Sequence, residues 1–231
     1  MAAPELTLKE VLEVPLVCFE AAADTISLFP LAYAIPFPSA GTPFYKIWFT
    51  KDLNTPPSSS ELSSLSSFPP ESMPAALARW NMCEAFICHL ENEADQLVGR
   101  QFGANVEWMQ FPPIPLHAVL KITEKNGKAY IMDGTVEQFG WPHETWLLDM
   151  EDFCETRLGG SIWHADSRLK GNTRERINCD GFWTAAHKRM EELFAELDYS
   201  DLFALPREER VQKVRAQAKA KFSGAWKEAG A

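Results

Sequence analysis

The sequence predicts an α+β fold, and three stretches predict it. From Cys83 onward, apolar side chains recur at Phe86, Ile87, Leu90, Ala94, Leu97 and Val98, the i, i+3, i+4, i+7 rhythm of an amphipathic helix that stops near Gly99. The segments "PLHAVLKIT" and "KAYIMD" read as two antiparallel strands around Asn126-Gly127, the strongest hairpin signal in the chain. The segments "DGFWTAAHKRMEELFAEL" and "LPREERVQKVRAQAKAKF" read as two closing helices, with Pro206 as a first-turn proline. Helix, antiparallel strands, then helices is the order of a mixed domain in which a helix packs on a sheet.

The remaining text fits around this frame as one domain over residues 1–231. Residues 1–53 mix a short amphipathic helix signal with apolar strand-like pieces ending in "FYKIWFT". Residues 54–73 are dominated by Ser and Pro, gain little from burial, and read either as a tolerated surface insertion or as a flap over a site. Residues 74–160 hold the helix and the hairpin, followed after Asp133 by loop-like text rich in Trp and Phe. Residues 161–231 hold a basic loop and the closing helices.

Composition excludes several function classes. With 46% hydrophobic residues and 15 Phe and 8 Trp, the chain can bury a real core. A net charge of −10 argues against a whole-surface binder of nucleic acid or membrane, and DNA and membranes are not expected partners. Ala204–Glu228 is different, with seven basic and three acidic residues, so a local polyanion contact stays open there. The N-terminal text has no basic region before its apolar runs, which acidic residues interrupt; it reads as neither a secretory signal nor a membrane span. The five cysteines (Cys18, Cys83, Cys88, Cys154, Cys179) are scattered without a CxxC pair. They are expected to be reduced thiols of a cytoplasmic protein. Neither a P-loop nor a dinucleotide fingerprint is present. Cys88-His89 lacks a second ligand pair at finger spacing, so neither metal nor cofactor is expected.

Chemistry is suggested by "RWNMCEAF". Asn81 can cap a helix, with Glu84 three residues later closing a capping box. Cys83 then lies in the first turn, where unpaired backbone N–H groups favour negative charge. If "PAALARW" instead extends the helix backward from Pro74, Cys83 is mid-helix and reads as a buried core residue. A nucleophilic cysteine also needs a base, and the base an orienting acceptor. His117 opens the first hairpin strand and Asp133 closes the second, giving Cys, His and Asp with gaps of 34 and 16 residues. A strict two-residue turn would set Val136, not Asp133, opposite His117. Bringing His117 and Asp133 together requires a longer loop or a bulge.

The stretches "NMCEAF", "LHAVLKI" and "AYIMDGT" resemble the transglutaminase-like core of the papain-like cysteine superfamily. That family carries a Cys heading a helix, a His beginning a strand, and an Asp-x-Thr after the next strand. The resemblance covers Trp80 to Gly140 and implies a papain-like core with Cys83 as nucleophile, His117 as general base and acid, and Asp133 orienting the imidazole. It also implies that Trp80 helps shape the oxyanion region. The sequence departs from the family at Asn81, where a Gly is usual, and at Gly134, where a Pro is common.

Three further clusters have two readings each. Glu137, Gln138 and Trp141 in "TVEQFGWPHETW" form either a packed aromatic loop or a substrate-pocket wall. Arg168, Lys170, Arg174 and Arg176, after His164 and Asp166, form either a solvated basic loop or a grip on an anionic group. The last helix, with Val211, Val214, Ala218, Phe222 and Ala225 on one side, reads as docked with a solvated basic face.

The function expected is thiol-dependent acyl transfer from an amide, ester or thioester donor, a small molecule or a peptide, to an amine or to water. In size and general look the chain also resembles fungal synthases of arginine-containing cyclic dipeptides. That resemblance implies the same triad acting on aminoacyl-tRNA, with the basic loop and tail as the tRNA contact. A third reading is a transglutaminase-like binding module without activity.

Overall fold

The computed structural model describes residues 6–26, 31–37, 44–49, 78–79, 82–111, 117–139, 141–158 and 167–223. Of residues 31–37, 44–49, 167–170, 176 and 178 only the backbone is described. The Ser/Pro-rich stretch, Trp80, Asn81, His164, Asp166 and the side chains of Arg168, Lys170 and Arg176 therefore lie outside the description.

The chain is α+β and mostly helical. Helix α1 (Leu8–Ile26) precedes a two-stranded antiparallel pair, β1 (Leu31–Phe37) and β2 (Phe44–Phe49). Helix α2 (Cys83–Phe102) leads into a four-stranded antiparallel meander, β3 (Asn105–Phe111), β4 (His117–Thr123), β5 (Ala129–Met132) and β6 (Leu147–Asp149). Helices α3 (Met150–Leu158), α4 (Ser167–Cys179), α5 (Gly181–Glu196), α6 (Tyr199–Ala204) and α7 (Arg207–Phe222) follow.

Helix α2 packs on β3 and β4. Its Phe86, Ile87, Leu90, Ala94 and Val98 meet Ala118, Leu120, Ile122 and Met132 from one sheet face, in a core shared with α1 and α5. Met109, Phe111, Val119 and Ile131 point to the other face and pack on Phe153 of α3. Alternation along each strand thus feeds two cores, as period-2 geometry requires.

Several expectations need correction. Helix α2 does not stop at Gly99. It runs to Phe102 and ends on Gly103, whose left-handed backbone (φ 58°) lets the amides of Gly103 and Ala104 reach Gly99 and Val98. The text after Asp133 is not simply loop, since it contains β6 and α3. Residues 167–179 form a helix instead of a basic loop. Pro206 is the N-cap of α7, one residue before the first turn.

Helix α1 is no short amphipathic element but a 19-residue helix with its middle buried on all sides. Its acidic residues tolerate this because α7 answers them: Arg207 pairs with Glu13, Arg215 with Glu20, and Arg210, only 2% exposed, faces Glu10. The basic side of α7 is therefore partly interior, not wholly solvated. A buried carboxylate without such a partner would cost several kcal/mol.

The hairpin loop sets the register. Glu124 N donates to Lys128 O and Gly127 N to Glu124 O, each at 2.9 Å, while Asn126 Oδ1 accepts from Lys128 N at 2.8 Å. The loop is therefore three residues, Lys125 to Gly127, with Gly127 left-handed at φ 86°. This turn-plus-bulge is the common alternative to a two-residue hairpin. Thr123 pairs with Ala129 and Leu120 with Met132. Continuing that register puts Asp133 beside Val119, on the His117 face and one diagonal step from His117. A two-residue turn would put Asp133 opposite Leu120, facing α2.

Because only glycine takes the Gly127 conformation without penalty, Gly127→Ala should cost ~1–2 kcal/mol. In urea unfolding this is expected as a lower midpoint with an unchanged slope.

Candidate active site

Three elements deliver three side chains to one place. Met82 is the N-cap of α2 (φ −99°, ψ 3°), so Cys83 is the first helical residue. The expected capping box turns on Asn81, which lies outside the described residues; Met82 supplies no side-chain cap, and Glu84 accepts from Thr173 Oγ of α4 at 3.2 Å. The break at Met82 also rules out a helix running unbroken through Cys83. The thiol therefore sits in the turn whose amides have no intrahelical partner.

His117 is the first residue of β4 and is fully buried. Its Nε2 hydrogen-bonds Asp133 Oδ2 at 2.7 Å. The other nitrogen, Nδ1, is buried with no hydrogen-bond partner. Cys83 lies close enough to the imidazole to favour its charged form. Burial opposes the imidazolium, but the charge and hydrogen bond of Asp133, followed by Cys83, outweigh it. The His117 pKa is pushed up from 6.5 to about 9.

Asp133, 1% exposed, has both oxygens engaged. Oδ1 accepts from Thr135 N at 2.9 Å and Thr135 Oγ at 3.0 Å, closing a tight Asp-Gly-Thr turn, and Gln138 Nε2 donates to Thr135 Oγ at 2.7 Å. Gly134 explains itself here. A Cβ at that position would lie 2.3 Å from the ring of Phe86, one turn beyond Cys83 on α2. The turn and the cysteine-bearing end of α2 are in direct contact, and only glycine allows it.

An aromatic wall covers the imidazole. Phe139 stands edge-on to His117 at 4.6 Å and Trp141 at 6.1 Å between ring centres. Arg157 of α3 lies 4.3 Å over the Trp141 ring and donates to Thr145 Oγ at 3.1 Å. Phe139 and Arg157 were not singled out in the sequence, because nothing local marks an aromatic or a cation whose ring partner is distant in the chain.

Below the wall lies a charge network. Glu137, in the 3-10 turn Val136–Phe139, accepts from His143 Nδ1 at 2.8 Å and faces Arg79 Nε at 3.6 Å. His143 Nε2 is 3.4 Å from Glu20, and Arg79 also reaches Asp24 at 3.3 Å. The Glu137 hydrogen bond holds the His143 pKa above the ordinary imidazole value. Burial alone would raise the Glu137 carboxyl, yet His143 and Arg79 leave it below the usual range. Glu20, Glu137 and His143 are the one group of three or more His, Cys, Asp or Glu side chains among the described residues spaced to hold a metal ion. Arg215 and Arg79 already face the two carboxylates, so the cluster fits a balanced ion network better than a cation site.

The structure thus brings Cys83, His117 and Asp133 together and sets Trp141 and Gln138 around them. Glu137 is committed to His143 and Arg79. Arg174, on α4, is ion-paired with Glu91 of α2. No family model matches the chain, and neither a curated protein nor a solved structure matches it. The grouping therefore rests on geometry alone.

A raised imidazole pKa stabilises the fold fully below 6.5, and that contribution is lost as pH rises through about 9. Urea midpoints should fall over this interval in the parent protein and fall less in Asp133→Asn, which removes the charge that lifts His117. Equal losses in both proteins would show that Asp133 does not hold the proton on His117.

Proposed function

We propose that the protein is a thiol-dependent acyl-transfer enzyme that makes or breaks an amide-type bond through a Cys83 acyl intermediate. The observation that carries this reading is the buried Asp133–His117 hydrogen bond with Cys83 against the same imidazole. A nucleophile, a proton carrier and an orienting carboxylate together form a set suited to acyl transfer. The resemblance of this stretch to the transglutaminase-like core agrees with it.

The chemistry follows from the high imidazole pKa. Near neutral pH His117 holds a proton for the leaving group, and the form that reacts is the one in which Cys83 is a thiolate. The sulfur attacks the donor carbonyl and a tetrahedral oxyanion forms. Its collapse breaks the bond to the leaving group, which takes the proton from His117. The imidazole, now neutral, removes a proton from the incoming amine or water, which attacks the thioester and releases the sulfur. Asp133 keeps the ring oriented and stabilises its charged form throughout.

A specific observation favours a second reading, a binding module without turnover: Cys83 is only 6% exposed and His117 not at all. Of the basic residues behind the tRNA-dependent reading, Arg174, Arg207, Arg215 and Lys221 have acidic partners within the chain.

Intact mass spectrometry after incubation with ester and thioester donors should reveal an acyl adduct that Cys83→Ala abolishes and Cys88→Ala retains. Hydrolysis or transfer should fall as pH rises through about 9, where the proton needed by the leaving group is lost. The non-catalytic reading is favoured instead if Cys83 resists both donors and small alkylating reagents up to that pH.

A further inference from the structure

A second cluster lies on the part of α2 that faces α5, away from the triad. His89 of α2 and His187 of α5 stack with ring centres 5.2 Å apart, and their Nδ1 atoms approach to 3.1 Å. Both line a cleft of about 440 Å3 with Glu93, Arg100, Glu191 and Tyr199. We propose that His89 and His187 form a binding site for a divalent transition-metal ion of the imidazole-preferring class, for which Zn2+ is the representative.

The spacing comes first. Two imidazole nitrogens held ~2.0–2.1 Å from one zinc ion and 3.1 Å from each other subtend roughly 100° at the metal, close to tetrahedral. The same separation suits an N–H···N hydrogen bond, so the ion would take the place of one proton between the rings.

Tautomers come second. Glu191 lies 3.5 Å from His187 Nε2, which favours the proton on that nitrogen and leaves the Nδ1 lone pair facing His89. A carboxylate behind a ligating histidine is the usual outer-shell arrangement at metal sites. His89 is 6% exposed, and its Nε2 meets no hydrogen-bond partner. Binding an ion here displaces the N–H···N hydrogen bond, moves the His89 proton from Nδ1 to Nε2, and frees both Nδ1 lone pairs for the metal.

The cleft supplies what two ligands lack. Its open volume leaves room for water or a bound anion to complete the coordination sphere, and Glu93 and Glu191 offset the ion's charge. The two ligands come from different helices, so metal bound here would clamp α5 onto the helix that carries Cys83.

The test is isothermal titration of Zn2+ into the full chain, with Co2+ absorption as the ligand readout. One equivalent should bind. His187→Ala should weaken it by at least ~10-fold, the loss expected for removing even an outer-shell partner. His143→Ala should leave it unchanged, and the Co2+ spectrum should show d–d bands without thiolate charge transfer. Thermal melting checks that His187→Ala is folded, and if it is not, His187→Gln carries the same comparison. Absence of saturable binding, binding indifferent to loss of His187, binding lost with His143, or a thiolate band would each overturn the proposal.

Discussion

A carboxylate buried to 1% exposure is tolerated only when both of its oxygens are answered, and Asp133 is the point on which the site depends. One oxygen is held by the backbone and hydroxyl of Thr135, the other by His117. The Asp133 amide donates to Trp146 O at 2.8 Å, which ties the turn to the chain entering β6. These bonds fix the imidazole at the end of β4 and lift its proton affinity. They also demand that the backbone at Gly134 press against Phe86, and so bring the first turn of α2 alongside. A change to any one of these groups is felt by the others.

The rest of the molecule braces that contact. Phe86 stands edge-on to Phe19 of α1 at 5.1 Å, so the helix behind the cysteine is keyed into the most deeply buried helix of the fold. Such an aromatic pair is worth ~0.5–1.5 kcal/mol beyond its buried area. Around it, acidic groups of α1 meet cations distant in sequence: Arg79 just before the cysteine, and Arg207 and Arg215 on α7. Single surface ion pairs contribute little, but Glu13 and Glu20 are buried, and taking away the arginine that faces either one weakens the pairing of a charge inside. Helix α7 thus acts as a counter-ion strip for α1.

The residue types of the site were legible in the sequence, since Cys, His and Asp each stand at the end of a recognisable element. Their geometry was not. Asn126-Gly127 fits both a two-residue turn and a three-residue turn with a bulge, and one residue of difference decides which sheet face Asp133 occupies. The helix start was legible to within two residues, but the long-range bond between Thr173 and Glu84 was not. The acidic residues of α1 broke its apolar pattern and hid its burial, because their partners lie almost 200 residues away. The basic residues of α7 misled in the complementary way, reading as solvated when their partners are internal. Local pattern reports the elements, while charge pairing at long range decides which faces go inside.

The central claim is that Asp133 and Cys83 together keep His117 protonated and oriented, and NMR titration of the His117 ring tests it most directly. The expected result is an imidazolium that persists to about 9, with a strongly deshielded Nε2 proton. Its midpoint should drop modestly in Cys83→Ala and much further in Asp133→Asn. A ring that titrates at or below the ordinary 6.5 in the parent protein, or that is indifferent to both substitutions, would contradict it.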